Sequence, residues 1–192
     1  FKLENIEEKD FSAFNILHVS TLNDEHKNFS GILNVFSLVL KTIPGATLSI
    51  ISEGDLDKYS ELITRLKIPQ KSIIFHGMKT SFEVAEIMRK QDLFILFSNY
   101  ENLPCVIAEA HCCGLPVVST NVGGVSEMIA ENLNGLMVKP NNEIQFQKAI
   151  IEIYKNYSFY DKNEIAKNAH NRYSYEVVSE EFDNYYQRCV SE

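Results

Sequence analysis

The sequence predicts an α/β fold of the doubly wound, Rossmann-like kind: a six-stranded parallel sheet with helices on both faces. Short β-rich runs alternate with helical patterns from residue 15 onward, and this alternation is typical of parallel strands joined by right-handed crossovers. One run, DLFILFS (92–98), is almost continuously apolar, as expected of a strand covered on both faces. Six such strands fit the order 3-2-1-4-5-6. The 192 residues suffice for one domain of this class.

The predicted strands are short runs rich in Val, Ile, Leu and Phe. They are bounded by residues typical of turns, such as Gly45 before the second and Gly77 after the third. The strands are expected, in chain order, at 15–20, 46–52, 72–75, 92–98, 115–120 and 135–138.

The predicted helices follow from apolar spacing and from start and stop signals. Asp55 is a candidate N-cap for a helix that Pro69 closes, and Thr80 with Glu83 forms a capping box. Gly114 fits the position just after a helix end. The helices are expected at about 28–40, 55–67, 80–90, 103–113, 125–131, 142–157, 160–171 and 175–190.

Composition excludes several classes of protein. Eighteen Lys and Arg residues against 26 Asp and Glu give a net charge of −8, which argues against sequence-independent nucleic-acid binding. The four cysteines form no C-x-x-C pair, which predicts free thiols in a reducing, cytoplasmic setting and no zinc site. No run approaches the roughly 18 apolar residues of a membrane span.

A ligand crevice is expected where strands 1 and 4 are neighbours, because the strand order reverses there. The loop after Ser20 offers His26 and Lys27 as cations. The loop after Ser98 leads into a helix predicted to start at Leu103, with Pro104 at its first position. The free N–H groups of such a helix start favour a phosphate or diphosphate ligand.

Two glutamates flank this helix start. Glu101 and Glu109 are eight residues apart, or roughly 12 Å along a helix, which exceeds the separation of about 5–9.5 Å between glycosidase carboxylates. The spacing instead favours an extended ligand held at two points. As isolated residues, both glutamates are equally compatible with solvated surface charges, and Lys27 alone is interpreted as a solvated surface lysine. His18, inside an apolar strand, is predicted to be a core histidine.

The segment ENLPCVIAEAHCCGLPVVSTNVGGVSEMI, followed by NGLMV, resembles the C-terminal, donor-binding half of GT-B glycosyltransferases of family 4. The hallmark of that family is E-x7-E, then A-x-x-x-G-x-P-V-V-x-T/S and a Gly-Gly turn. The resemblance extends from about Asn15 to the RYSYEVVSEEF segment, nearly the whole chain. The matching residues are Glu101, Glu109, Ala110, Gly114, Pro116, Gly123, Gly124 and Glu127.

The resemblance implies a retaining transferase that uses a nucleotide-diphosphate sugar and needs no bound metal or other cofactor. It gives Glu101 the catalytic role beside the donor sugar, and Glu109 the ribose hydroxyls. It assigns the diphosphate to Lys27 and to the N–H groups near Cys105 and Val106. The other residues expected to bind the donor are Ser20, Thr21, Asn102 and Leu103, with Gly77 and Met78 at the nucleotide base.

The resemblance also implies a domain plan. Residues 1–14 are expected to be an interdomain linker, 15–172 the nucleotide-sugar-binding domain, and 173–192 a helix that crosses toward an absent N-terminal acceptor domain. The fragment alone is then expected to be inactive. Its expected partners are the nucleotide-sugar donor and, through the other domain, an acceptor glycan or lipid-linked sugar. The expected location is the cytoplasm, with at most peripheral membrane contact and no nucleic-acid partner.

Three alternatives remain open. Thr21 stands where the family has arginine, which favours a catalytically silent nucleotide-sugar-binding or scaffolding module of the same fold. The same loop is one residue longer than usual, so His26 competes with Lys27 for the family lysine position. A nicotinamide-dependent enzyme would use Glu53 for a ribose, but no G-x-G-x-x-G follows the first strand.

Overall fold

The computed structural model describes residues 13–191. Its sheet has six parallel strands in the order β3-β2-β1-β4-β5-β6, which confirms the predicted order and fold class. The strands are β1 (Phe14–Val19), β2 (Ala46–Ile51), β3 (Ile73–Gly77), β4 (Leu93–Leu96), β5 (Val117–Thr120) and β6 (Gly135–Val138).

Eight α-helices lie among the described residues. Four short 3₁₀ turns accompany them, at Leu56–Tyr59, Gln70–Ser72, Gly123–Glu127 and Tyr157–Phe159. The helices are α1 (Asp24–Lys27), α2 (Phe29–Thr42), α3 (Ser60–Arg65), α4 (Ser81–Arg89), α5 (Cys105–Cys112), α6 (Glu143–Lys155), α7 (Lys162–Tyr173) and α8 (Tyr175–Ser191).

The central strand β4 is buried on both faces of the sheet, to which its successive side chains point in turn. In β4, Leu93 and Ile95 pack with α2 and α6, whereas Phe94 and Leu96 pack with α4 and α5. All four side chains are almost completely buried. This two-sided burial explains why the strand reads as a continuous apolar run.

Several predicted helix boundaries are wrong. The helix predicted at 103–113 begins at Cys105, because Pro104 has extended backbone angles (φ −73°, ψ 99°) and is the N-cap rather than the first helical residue. Leu103 therefore lies outside the helix. The segment predicted as helix 55–67 divides into a 3₁₀ turn and α3. The short helix predicted at 125–131 is the 3₁₀ turn at Gly123–Glu127.

The ends of the chain bear on the predicted domain plan. Phe14 opens β1 and is fully buried, so residue 14 belongs to the folded domain. Residues 1–12 lie outside the described part, and the linker stays a prediction. At the other end, α8 carries the exposed aromatic side chains of Phe182, Tyr185 and Tyr186. Between residues 13 and 191, no helix combines the length and the apolar character needed to cross a bilayer.

Candidate functional site

Two loops meet at the carboxyl ends of β1 and β4, where the strand order reverses. The backbone N–H of Asn99 donates to the carbonyl of His26 at 2.8 Å, and the Asn99 amide donates to the carbonyl of Glu25 at 3.0 Å. These bonds join the β1–α2 connection to the β4–α5 loop. The crevice predicted from strand order therefore has both of its predicted walls.

The helix α1 forms one wall and was not predicted. Its N-cap is Asn23, whose side-chain oxygen accepts from the N–H of His26 at 3.0 Å, and Asn28 ends it in a left-handed conformation (φ 48°). The helix buries none of its side chains. Lys27, its last residue, contacts Glu101 in the neighbouring loop.

Glu101 lies in the β4–α5 loop and faces the β1–α2 connection. Its Oε1 accepts two hydrogen bonds, from Nζ of Lys27 at 2.6 Å and from the hydroxyl of Ser98 at 2.6 Å. Glu101 is only 7% exposed. Glu101 and Lys27 are thus a paired, largely buried group, and the solvated-surface interpretation is wrong for both. His26, the competing cation, is exposed.

The backbone beneath Glu101 is packed against a Gly-Gly turn. Gly123 has φ +54°, and a Cβ there would overlap the carbonyl oxygen of Glu101. The N–H of Gly124 donates to the carbonyl of Asn102 at 2.6 Å. Only glycine permits both the left-handed angle and this approach, so the turn fixes the position of the β4–α5 loop.

The first turn of α5 presents free backbone donors. The N–H groups of Cys105 and Val106 have no hydrogen-bond partner among residues 13–191, and no acidic side chain lies in this turn. Asn102 and Leu103 are exposed beside it. A helix start of this kind attracts anions through its N–H groups and dipole.

Glu109 lies further along α5 and is half-buried, and this burial raises the pKa of its carboxyl group. The helical rise used to predict a separation of roughly 12 Å applies only from Cys105 onward, because Glu101 is outside the helix. The two carboxylates therefore sit on different elements: one in a loop, one on a helix.

The remaining predicted residues lie at the carboxyl ends of two strands, β1 and β3, which flank β2 at the same edge of the sheet. Ser20 and the exposed Thr21 follow β1. Gly77 ends β3 with φ +67°, and the space that a Cβ would occupy there is empty to 4 Å. Met78, the next residue, is 76% exposed. In the order β3-β2-β1-β4, this open area lies beyond β2 from Glu101.

Three polar residues below the crevice were not predicted as part of it: His18, Ser98 and Thr120. His18 is fully buried, as expected of a core histidine. Its Nδ1 donates to the carbonyl of Ile95 at 3.0 Å, which leaves Nε2 to accept from the hydroxyl of Ser20 at 2.6 Å. The charges of Lys27 and Glu101 also act on this imidazole. Ser98 could have been predicted as part of the site, because it is a polar residue at the end of a buried apolar run.

Stability should fall as the pH drops from about 6.5 to about 4. Burial lowers the pKa of both His18 and His111 to about 4, from 6.5. Across that pH interval the unfolded chain binds protons that the folded chain excludes. By about pH 4, each histidine should therefore have lowered the free energy of unfolding by roughly 3 kcal/mol. Urea denaturation at a series of pH values measures the loss. The double variant His18→Gln/His111→Gln should show a shallower pH dependence, and an equal slope in both proteins would contradict the assignment.

The four cysteines are free thiols with different environments. Cys105 and Cys189 are exposed, whereas Cys112 and Cys113 are buried. Burial raises the pKa of Cys113 to about 12. In the described part of the chain, no three His, Cys, Asp or Glu side chains are grouped as a metal site would require.

The chain resembles known glycosyltransferases in sequence and in fold. An uncharacterized glycosyltransferase of Methanocaldococcus jannaschii is 29% identical over 144 residues, which cover 73% of this chain and 37% of that protein. A variant of TarM from S. aureus, crystallised in complex with UDP, has a TM-score of 0.80 at 22% identity over 96% of this chain and 37% of its own. The chain thus spans less than half the length of either protein.

The fold also resembles a C-terminal domain whose crystal structure was determined on its own. The C-terminal domain of the glycosyl transferase group 1 protein LpcC from Francisella tularensis has a TM-score of 0.69 at 23% identity. That likeness covers 88% of this chain and 86% of the LpcC domain. The fold is therefore that of the C-terminal half of a GT-B glycosyltransferase.

The sequence profile of the family described as Glycosyl transferases group 1 matches residues 2–172, which is most of the chain. The predicted motif from Glu101 to Glu127 lies inside this match. Assignment to family 4 stays a prediction. The chain belongs to the glycosyl transferases group 1 family.

Proposed function

We propose that this chain forms the donor site of a retaining glycosyltransferase, which moves a hexose-type sugar from a nucleotide-diphosphate sugar to an acceptor. The observation that carries the proposal is the Lys27–Glu101 pair at 2.6 Å beside the free N–H groups of α5. An ammonium group and a helix start bind phosphates. A carboxylate next to them can accept hydrogen bonds from the sugar hydroxyls.

The diphosphate would bind at the start of α5. The N–H groups of Cys105 and Val106 would donate to its oxygens, and Lys27 would neutralise part of its charge. The same groups would stabilise the negative charge that develops on the leaving phosphate. In this proposal they take the place of a metal ion, and Asn102 and Leu103 border the site.

Glu101 would accept hydrogen bonds from hydroxyls of the donor sugar, close to the carbon that reacts. We propose a front-face transfer, as the family resemblance implies. The bond from the sugar carbon to the phosphate oxygen breaks, and the acceptor oxygen attacks from the same face. The acceptor proton passes to the leaving phosphate. The acceptor, a glycan or lipid-linked sugar, would be bound by residues outside this chain.

The nucleoside would extend along the carboxyl edge of the sheet. The Glu109 carboxylate would accept from the ribose hydroxyls, and the open space at Gly77 and Met78 would receive the base. Ser20 and Thr21 border the path between them. The UDP bound in the TarM structure, which shares this fold, supports a nucleotide in such a crevice.

One observation favours the catalytically silent module as a second candidate. Thr21 is exposed, and the β1–α1 loop holds no arginine that could pair with phosphate. A silent module would bind nucleoside diphosphates without releasing them from nucleotide sugars. Hydrolysis of the bound nucleotide sugar by the full-length protein separates the two functions.

Donor binding is tested by thermal stability with UDP, GDP and ADP. At about 100 times its Kd, one of these should stabilise the fold by about 2.7 kcal/mol, which raises Tm by roughly 5–10 °C in a domain of this size. Glu109→Ala should remove most of the increase, because the ribose contact is lost. The matched control is Glu86→Ala, which removes an exposed glutamate of α4. No increase with any diphosphate at millimolar concentration would refute the proposal.

A further inference from the structure

Ser98 is the last buried residue before the crevice, and it contacts Glu101 directly. Its hydroxyl donates to Oε1 of Glu101 at 2.6 Å. Ser98 itself is 0% exposed, so a ligand in the crevice does not touch it. Because Lys27 binds the same oxygen, the second carboxylate oxygen, Oε2, is left without a partner among residues 13–191. The two donors therefore determine which oxygen faces the crevice.

The two donors differ in how firmly they are held. Ser98 is fixed from behind, because the hydroxyl of Thr120 donates to its carbonyl at 2.6 Å. Thr120 is also fully buried. Lys27 is 23% exposed and extends from a helix of four residues. Its long, flexible side chain can change partner, whereas the serine hydroxyl lies on a short, fully buried side chain.

A diphosphate would compete for only one of these donors. Its negative charges attract the ammonium group of Lys27 away from Glu101, whereas the single hydroxyl proton of Ser98 stays committed to the carboxylate. Glu101 would then depend on Ser98 for its orientation at the moment when the sugar arrives. Misplacing such a group by about 1 Å can cost about 100-fold in rate.

We propose that Ser98 is a positioning residue: it holds Oε1 of Glu101 against the end of β4 while the donor occupies Lys27, so that Oε2 faces the donor sugar. This inference rests on the proposed function of the same site. It assigns a role to a buried side chain that contacts neither nucleotide nor sugar.

The test compares Ser98→Ala with Ser119→Ala in the full-length protein. Ser119 is a matched control, since it is equally buried and, within residues 13–191, its hydroxyl bonds only to the carbonyl of Thr120, at 3.3 Å. The probes are UDP-glucose, UDP-N-acetylglucosamine, GDP-mannose and ADP-glucose, with the corresponding free diphosphates. Calorimetry gives the affinities, diphosphate release gives kcat and KM, and crystal structures give the orientation of Glu101.

Ser98→Ala should bind the free diphosphate within about twofold of wild type and lower kcat about 10-fold to 100-fold, the effect of losing a hydrogen bond to a charged group. Its crystal structure should show Glu101 rotated away from β4. Adding Ser98→Ala to Glu101→Ala should cause no further loss of kcat, because Ser98 acts only through Glu101. Ser119→Ala should keep the wild-type kcat, and Ser98→Cys, whose thiol is only a weak donor, should behave as Ser98→Ala.

The possible results distinguish the role of Ser98 from the proposed function of the donor site. If the wild-type protein binds none of the probes, the proposed function is wrong, and so is the role of Ser98 that depends on it. Wild type that binds and hydrolyses a probe, with equal kcat in Ser98→Ala, overturns the role of Ser98 alone. An equal loss of kcat in the Glu101→Ala background also overturns it.

Discussion

Glu101→Ala in the full-length protein should lower the turnover number for sugar transfer about 100-fold to 1,000-fold, as expected when one preorganised transition-state contact is removed. The affinity for the free nucleoside diphosphate should stay the same or increase. Lys27 loses its partner at 2.6 Å in this variant and is free to bind phosphate. The prediction is therefore a separation of kcat from diphosphate affinity.

Steady-state kinetics and calorimetry with the same diphosphate measure this separation. Glu101→Gln is the companion variant, because it keeps the shape of the side chain and the hydrogen bond from Ser98 while it removes the charge. It should lose nearly as much turnover as the alanine variant. If Glu101→Ala transfers sugar at the wild-type rate, the catalytic role is wrong. If turnover and diphosphate affinity fall together, Glu101 serves binding.

Gly123→Ala should be the most destabilising small substitution in the crevice. The left-handed angle (φ +54°) and the overlap of a new Cβ with the Glu101 carbonyl act together. Backbone strain and overpacking of this kind cost roughly 2–6 kcal/mol in total. The chain relieves the overlap only by moving the β4–α5 loop, so diphosphate binding should weaken as well.

Gly77→Ala is the matched control for this prediction. Gly77 has a similar angle (φ +67°) but open space around the missing Cβ, so only the backbone term of roughly 1–2 kcal/mol remains. Chemical denaturation of both variants measures the difference, which isolates the close approach. Equal destabilisation of the two variants would show that Gly123 is needed for its backbone angle alone.

Local signals in the sequence predicted much of the fold. The capping box of Thr80 and Glu83 is present in the structure at the start of α4. The six strands lie within about two residues of their predicted bounds, because each is a short apolar run with turn residues near its ends. Strand order then predicted which two loops would face each other, without any long-range contact being known.

The sequence did not predict the features that depend on distant contacts. Lys27 and Glu101 are 74 residues apart, and nothing in either loop indicates that they pair. The helix α1 escaped prediction because it has no buried residue, and therefore no apolar period. Pro104 was placed inside α5 because proline suits a first helical turn, but its extended angles make it the cap.

The contrast between the two exposed thiols has a practical consequence. Cys105 begins α5, whereas Cys189 lies near the end of α8. A maleimide footprint with mass-spectrometric readout would therefore carry its own internal standard. A ligand in the crevice should protect Cys105 from the reagent, while the labelling of Cys189 measures the reagent dose. The buried Cys112 and Cys113 should react only when the chain unfolds. The wild-type sequence therefore already contains a probe of ligand binding, a reference thiol and two thiols that report unfolding.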